Sequence, residues 1–440
     1  MNTHRLSRIS GAVIFALGLS TSAMAADTTS SSIRGNVVAQ SGEIVTGATI
    51  TVTDTRTGSV KTFTSNEAGS FSARGLQVGG PYTIEVRDAK GTKVLNDVYL
   101  TLGDTLNLNL ALESEQVETI QVTGRRIHAS SGASGPTNNF GLEDLEAAPA
   151  INRDIKDLVR IDPRIYINES RGDGIQCTGA SPRFNSFTVD GIRTNDNFGL
   201  GTSGYPTIRI PFSYDSISQV NVELAPFDVQ YGGFTACNIN AVTKSGSNEF
   251  EGGFFYDYTS DSLRGDELEG EKLATGDFTE KRYGFNVGGA LIEDKLFFFT
   301  SYEKLEGSDL FDRGTADSNA AVKVEGLSQA QYDEILDISR NVYGYEPGDL
   351  ITSLPVEDEK IMAKLDWIIN DNHRAALVYN YNEGNAIRES DGDSNEFEFQ
   401  SHLYERGAEL QSFIGVLYSD WTDKFSTEIR VARTELDNLQ

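Results

Sequence analysis

The stretch SISQVNVELAPFDVQYGGFTACNINAVTKSGSNEFEGG, residues 216–253, decides how the chain is organised. It begins with an alternating strand, passes through a turn of small residues and enters a second β-rich run. From about Phe250 the pattern changes to long alternating strands, so the stretch ends one kind of domain and begins another. Its landmarks are Tyr231, Gly232, Asn240, Val242, Thr243, Lys244 and Gly246.

The strands that follow have one apolar and one polar face. In KIMAKLDWII, residues 360–369, one face carries Ile361, Ala363, Leu365, Trp367 and Ile369, and the other carries Met362, Lys364, Asp366 and Ile368. In FSTEIRVAR, residues 425–433, Phe425, Thr427, Ile429 and Val431 lie opposite Ser426, Glu428, Arg430 and Ala432. Dyad repeats of about ten residues are typical of transmembrane barrel strands, whereas a soluble sandwich normally has shorter ones.

The connections between these strands alternate in length. ALIEDKLFFFTSY, WIINDNHRAALVYNY and SDWTDKFSTEI each contain a short turn with aspartate, whereas the longest connection runs from about Glu303 to Lys360. It contains the helical-looking segment LSQAQYDEILDISRNVYG. Short turns on one side and long loops on the other indicate an outer-membrane barrel. Its acidic loops either bind cationic or metal-bearing ligands or meet divalent ions at the lipopolysaccharide surface.

The N-terminus predicts export. Arg5 and Arg8 precede the apolar run ISGAVIFALGLS, and Ala23-Met24-Ala25 supplies small residues for cleavage after about Ala25. The alternative is a buried N-terminal helix. No later segment has the ~20 apolar residues of a transmembrane helix, so strands must provide any membrane crossing. The net charge of -28 makes nucleic acid an unfavourable partner.

Residues 33–112 predict a small antiparallel β-sandwich, because short alternating runs are separated by Gly, Pro and Asx turns. The run IRGNVVAQSGEIVTGATITVTDTRTGSVKTFTSNEAGSFSARGLQVGGPYTIEV resembles the carboxypeptidase regulatory-like domain, which belongs to a carbohydrate-binding-like fold group. A sugar-binding face needs exposed aromatic residues, but alternation predicts that Phe71 and Tyr82 are buried. We therefore expect a spacer or docking module rather than a sugar binder.

The segment VETIQVTGRR, residues 117–126, resembles the TonB box of TonB-dependent outer-membrane receptors. Its box residues are Glu118, Thr119, Ile120, Gln121, Val122 and Thr123. An extended, β-branched peptide can join the edge of a partner sheet, and the resemblance implies TonB, with its inner-membrane energising complex, as that partner. The alternative is that this segment forms the last strand of the sandwich.

Residues 136–247 resemble the plug domain of the same receptors. Ile155, Leu158, Val159 and Ile161 have helical spacing before Pro163, and SFTVDGIRTND reads as a strand that enters an Asp190-Gly191 turn. The landmarks of the opening stretch match the family's block of Tyr-Gly and Asn-x-Val-Thr-Lys. Two features depart from the family pattern: Cys237-Asn238-Ile239 replaces the usual glycine before the Asn-containing strand, and the plug carries two cysteines.

Cys177 and Cys237 are the only cysteines in the chain. In an oxidising periplasm we expect them to form a disulfide, which would stabilise the plug by ~4 kcal/mol in the chain-entropy model. A redox or metal role is the alternative, but the spacing matches neither CxxC nor a zinc ligand set. The four histidines lie far apart, and the sequence contains no P-loop or GxSxG motif. No catalytic residue, metal site or cofactor is predicted.

The predicted fold class is mainly β: an N-terminal β-sandwich, an α+β plug and the first part of a transmembrane antiparallel barrel, residues 248–440. Such receptors have about 22 strands, so we expect the chain to be a fragment. The resemblance implies an Oar-like TonB-dependent transporter in outer-membrane lipid, with a periplasmic N-terminal domain and a siderophore, glycan or peptide as external ligand. The alternative is an outer-membrane-anchored adhesion protein that binds protein or carbohydrate through the sandwich.

Overall fold

The structure is a computed structural model. It describes residues 29–113, 136–168, 174–196, 203–226, 231–265, 267–272, 278–311, 313–320, 322–351, 353–390, 396–422 and 425–439. The predicted signal peptide and the TonB-box-like segment lie outside these residues. Three β-rich regions follow one another along the chain, and the predicted mainly β fold class is confirmed.

Seven strands build the N-terminal sandwich. They are β1 (Ser30–Val38), β2 (Thr49–Asp54), β3 (Ser59–Thr64), β4 (Ser70–Gln77), β5 (Gly79–Asp88), β6 (Gly91–Leu100) and β7 (Thr105–Ala111). One sheet has the order β4-β1-β7 and the other the order β3-β2-β5-β6. Alternate side chains of both sheets form the core, and Phe71 and Tyr82 are buried as the alternation predicts.

The expectation of a wholly antiparallel sandwich is wrong for one strand pair. Strand β7 runs parallel to β1, with Ser32 opposite Thr105 and Val38 opposite Ala111. A tight turn imposes antiparallel pairing only on strands that it joins directly. Because five strands separate β1 from β7 in the chain, no turn fixes their relative direction.

We expect the isolated segment from Asp27 to Glu115 to fold by itself. Its core consists of its own side chains, and a domain with a separate core can fold alone. Far-ultraviolet circular dichroism of this segment should show a β spectrum and a cooperative thermal transition. A helical or unfolded spectrum would contradict this expectation.

The plug region, residues 136–247, contains a mixed five-stranded sheet. Its elements are β8 (Thr137–Phe140), α1 (Leu142–Ala147), α2 (Ile155–Val159), β9 (Ile165–Asn168), β10 (Gly174–Cys177), β11 (Ser186–Val189), β12 (Ile192–Arg193), β13 (Ile217–Leu224) and β14 (Cys237–Thr243). The strand order is β12-β11-β14-β13-β8, and β9 pairs with β10 separately. Strand β14 is therefore central and is buried along its whole length.

The helical pattern before Pro163 ends earlier than its apolar spacing suggests. Asp154 caps α2 by accepting a hydrogen bond from the Lys156 backbone N–H. Ile155, Leu158 and Val159 are buried, but the helix ends at Val159 and Ile161 is exposed. The helix has five residues and buries one apolar face, formed by Ile155, Leu158 and Val159. Ile161 lies beyond the end of the helix and therefore does not belong to that face.

The last region is dominated by long antiparallel strands. Its elements are β15 (Glu251–Ser260), β16 (Glu267–Leu268), β17 (Glu271–Lys272), β18 (Thr279–Ile292), β19 (Leu296–Leu310), β20 (Arg313–Thr315), β21 (Val322–Val324), α3 (Gln329–Asn341), β22 (Ser353–Asn370), β23 (His373–Arg388), β24 (Tyr404–Thr422) and β25 (Phe425–Leu439). Seven of them form one sheet, the wall sheet, in the order β15-β18-β19-β22-β23-β24-β25.

The two faces of the wall sheet match the predicted alternation. Leu365 and Trp367 are 41% and 47% exposed on the outer face, whereas Met362 and Asp366 are 1% and 2% exposed on the inner face. Apolar side chains on the outside and polar ones on the inside suit a sheet that has lipid on one face and protein on the other.

The strands are longer than the sequence indicates. Strand β22 begins at Ser353 and β19 ends at Leu310, so the predicted loop from Glu303 to Lys360 shrinks to residues 311–352. Glu357 and Glu359 occupy the outer face above Ile361, where the apolar band begins. Cross-strand hydrogen bonds do not require an apolar face, so the ladder of β19 and β22 continues past that band.

The remaining long connection contains the predicted helix. Ser328 and Gln331 form a capping box at the start of α3, and Tyr332 packs in an aromatic cluster with Phe397 and Phe399. No helix within the described ranges is long and apolar enough to cross a membrane.

Candidate functional site: the plug–wall interface

The turn after β11 is joined to the end of β14. Asp190 and Gly191 both have positive φ angles, 47° and 74°, as a two-residue type I′ hairpin requires. The buried Asp190 carboxylate accepts hydrogen bonds from the Thr243 backbone N–H at 3.0 Å and from its hydroxyl at 2.8 Å. These two landmark residues, 53 positions apart, therefore fix each other.

A lysine of the wall sheet completes this contact. Lys364 on β22 points inward and donates from Nζ to the carbonyl and hydroxyl oxygens of Thr243, both at 3.2 Å. Because the amine is buried, its hydrogen bonds to Thr243 replace those that it would make with water. The C-terminal end of β14 is thus held by both the plug and the wall sheet.

The other landmarks serve the same strand and its neighbours. Tyr231 donates from its hydroxyl to Glu223 at 2.5 Å, and Asn240 accepts a hydrogen bond from the Thr188 hydroxyl at 2.8 Å. The Lys244 backbone N–H donates to Ser216, and burial lowers the pKa of its side-chain amine.

The glycines of the motif differ in their steric surroundings and in their backbone conformation. A Cβ at Gly246 would collide with the carbonyl oxygens of Phe298 and Gly289, where the chain passes close to the wall sheet. Gly232 has open space around it, and it is Gly233 that adopts a positive φ, of 74°. The conformational requirement therefore lies one residue after the predicted Tyr231-Gly232 pair.

A second contact consists of buried charges. Glu303 on β19 and Lys360 on β22 are 3% and 4% exposed, and their charged atoms are 3.3 Å apart. Lys360 also lies 3.2 Å from Asp358, which accepts from Asn382 at 3.2 Å. Buried charges are tolerated only when such partners surround them.

The plug region supplies the remaining partners of this network. The Ser213 hydroxyl donates to Glu303 Oε2 at 2.9 Å, and Arg153 Nε lies 3.7 Å from the same oxygen. Arg153 Nη2 is 2.6 Å from Asp215 Oδ2. The network thus links two cations, Arg153 and Lys360, to three carboxylates, those of Glu303, Asp358 and Asp215.

Arg153 is held in a strained conformation. Its φ of 51° lies in the left-handed region, which costs a non-glycine residue ~1–3 kcal/mol. Its guanidinium lies 3.5 Å from the ring centroid of Phe255 on β15 and 6.0 Å from that of Tyr214. Burial raises the pKa of Tyr214 to about 12, so the phenol is neutral and donates to the Leu145 carbonyl. Sequence reasoning did not identify Arg153 or its partners.

The sandwich also contacts the plug region and the wall sheet. Gln219 on β13 donates to the Leu100 carbonyl at 3.1 Å and accepts from the Leu102 N–H at 2.8 Å. Lys61 and Asp420 form an ion pair at 2.6 Å between the sandwich and the end of β24. These contacts hold the sandwich against both the plug region and the wall sheet.

The two cysteines join two parts of the plug region. Cys177 ends β10 and Cys237 begins β14, and their sulfur atoms are bonded at 1.99 Å. Both residues are fully buried, so the bond lies within the plug core.

We expect protein exported to the periplasm to contain this disulfide. Alkylation of the unfolded, unreduced protein should modify no thiol, and alkylation after reduction should modify both, as measured by intact mass. Modification of both cysteines without reduction would contradict the prediction.

Two family models match the chain. A carboxypeptidase regulatory-like domain matches residues 32–113, and an outer membrane beta barrel domain matches residues 242–313.

Among known proteins, the TonB-dependent transporter Oar of Myxococcus xanthus is 25% identical over 407 residues, which are 86% of this chain and 36% of Oar. The chain therefore spans little more than a third of that relative. Among solved structures, the outer membrane transporter YddB from Escherichia coli has 14% identity and a TM-score of 0.49, over 69% of this chain and 40% of YddB. The siderophore receptor PirA from Acinetobacter baumannii has 18% identity and a TM-score of 0.46, over 70% and 40%. The chain is therefore a homologue of the TonB-dependent transporter Oar that contains a carboxypeptidase regulatory-like domain and, after it, a match to an outer membrane beta barrel domain.

Proposed function

We propose that this chain belongs to a transporter that imports a scarce or bulky ligand when TonB displaces the plug. The observation that carries the proposal is the plug–wall interface, in which the buried Arg153–Glu303 network and the Thr243–Lys364 contact lie beside small apolar contacts of Ile192 and Ile208. The relationship to the transporter Oar supports the same function.

The chemistry of this interface suits a plug that must move. An apolar interface would expose its whole surface to water when the plug leaves, at ~25 cal/mol for each Å². Ion pairs and hydrogen bonds instead exchange protein partners for water, so much of their loss is compensated by hydration. The polar part of the interface can therefore be specific when closed and still open under force, and the apolar contacts of Ile192 and Ile208 add only a small area to it.

The segment that we propose TonB binds lies between the sandwich and the plug region. The sandwich ends with Glu113 and the plug region begins at Pro136, so the TonB-box-like segment, Glu118 to Thr123, joins them. Strand addition of this segment to a TonB sheet would transmit a pull to β8, an edge strand that has four pairs with β13.

The external side is assigned by the lengths of the connections. Residues 293–295 join β18 to β19 and residues 371–372 join β22 to β23, whereas residues 311–352 and 389–403 form the long connections at the opposite end. We place the ligand on the side of the long connections and the sandwich in the periplasm, on the side of the short turns.

Growth on defined nutrient sources, with and without the gene, tests this function. The strain with the gene should gain growth on at least one scarce nutrient, and removal of TonB or of the proton gradient should abolish the gain. Retention of ligand binding under both treatments would separate binding from transport. Growth that is independent of TonB would favour the adhesion or anchor function.

A further inference from the structure

The disulfide changes the path that force takes through the plug region. Under the proposed function, a pull enters at residue 136 and leaves through β15, which belongs to the wall sheet. Between these points the chain passes through every plug element in order. Cys177 and Cys237 are 60 residues apart in sequence and covalently joined, so force can pass directly from β10 to β14.

The elements before Cys177 are short and, apart from the contacts of Arg153 with the wall sheet, offer little mechanical resistance. Strand β8 is a four-residue edge strand, and α1 and α2 have six and five residues. In the β9–β10 hairpin, force enters at Ile165 and leaves at Cys177, which lie directly opposite each other. The hairpin is therefore pulled open from one end, and its pairs break one after another.

Without the disulfide, β13 would open in the same way. Force would enter β13 at Ile217, and the wall sheet would hold the chain at Thr243. These two residues are paired. Antiparallel hydrogen bonds lie perpendicular to the strands, so a load that separates two paired ends breaks the ladder one pair at a time.

With the disulfide, the load instead runs along β14. It enters at Cys237, the first residue of the strand, and leaves at Thr243, the last. Because the load enters and leaves the same extended strand, it does not peel apart the ladders that pair β14 with its neighbours, and the chain between the two cysteines bears no load. Strand β14 has such ladders on both sides, with β13 and β11, and Lys364 of the wall sheet holds its far end.

We propose that the Cys177–Cys237 disulfide is a mechanical stop, which confines force-driven unfolding of the plug to residues 136–176 and keeps residues 178–236 folded around β14. Only the covalent link and the order of the strands are needed for this effect. The stop would limit how much of the plug leaves the lumen in one transport cycle. Its role in transport depends on the proposed function, but its mechanics do not.

Single-molecule pulling on the full-length protein in a lipid bilayer tests the proposal without TonB. A peptide handle inserted between residues 126 and 132 provides the attachment, and a protease site before the handle separates the sandwich from the pulled segment. Oxidised protein should release ~140 Å of chain, from residues 136–176 at 3.3–3.6 Å per residue, and then resist at a higher force.

Reductant is added at constant force after this first extension, when unfolding of β10 has exposed Cys177. We expect a further lengthening of ~200 Å, because the 60 residues between the cysteines join the pulled chain. The same protein held without reductant should show no such step. Release of the whole plug before reduction, or no lengthening after reduction, would overturn the mechanical stop. Neither result depends on uptake, so failure of the transport function would be detected separately.

Discussion

Ile120→Pro is expected to reduce energy-dependent uptake by the full-length protein to the level of a strain without TonB. Proline removes the backbone N–H of residue 120 and restricts its φ, and both changes disfavour strand addition to a partner sheet. Assembly of the barrel and surface binding of ligand should be unchanged, because the segment precedes the plug region. Uptake of labelled ligand, measured beside binding at low temperature, provides the two readouts.

Gln121→Asn is the matched control for this change. It keeps the backbone donor at the neighbouring position and shortens a side chain on the other face of the strand, so uptake should fall far less. A cysteine at position 122 should crosslink to TonB when ligand is bound. If Ile120→Pro leaves uptake intact, the segment has no coupling role; if it prevents folding, the segment belongs to the sandwich.

The wall sheet could be predicted from sequence because its signal is local. Alternation in KIMAKLDWII assigns each side chain to a face, and the structure exposes Leu365 and buries Asp366 accordingly. Strand ends were less accurate, since pairing between β19 and β22 continues where the outer face carries Glu357 and Glu359. Alternation reports the environment of a strand, whereas its length depends on a partner elsewhere in the chain.

The plug–wall network could not be predicted because its members are distant in sequence. Lys360 and Glu303 are 57 residues apart, and Glu303 lies 90 residues from Ser213. A partial signal was present: Asp358, Lys360, Lys364 and Asp366 occupy the inner face of one strand, which is unusual unless partners lie opposite them. The identity of those partners requires the register of the wall sheet and the position of the plug.

For the plug motif, the sequence identified the residues and only the structure explains their roles. Resemblance indicated that Asp190, Asn240 and Thr243 are important in the plug, but it could not explain why. The structure gives Asp190 and Thr243 a shared pair of hydrogen bonds and links Thr243 to Lys364. The same strand begins at Cys237, so a motif that identifies the plug also marks the strand to which we assign the load.

Glu303→Ala is expected to loosen the plug by ~3 kcal/mol, since removal of one member of a buried ion pair leaves its partners poorly compensated. Lys360 would keep Asp358 and Arg153 would keep Asp215, but the link between them across the plug–wall interface would be lost. Open-channel events in planar bilayers should therefore begin at lower urea concentrations than in the unchanged protein.

Glu306→Ala is the matched control, because it removes a carboxylate from the same strand. Glu306 pairs with Lys304 on the outer face and is half-exposed, and such surface pairs contribute only ~0–1 kcal/mol.

Glu303→Gln separates the two roles of the carboxylate, since the amide oxygen can still accept from Ser213 without carrying charge. An intermediate effect would assign part of the plug's retention to that hydrogen bond. Equal urea thresholds for Glu303→Ala and Glu306→Ala, with the barrel folded as judged by gel mobility before and after heating, would show that the buried network does not hold the plug.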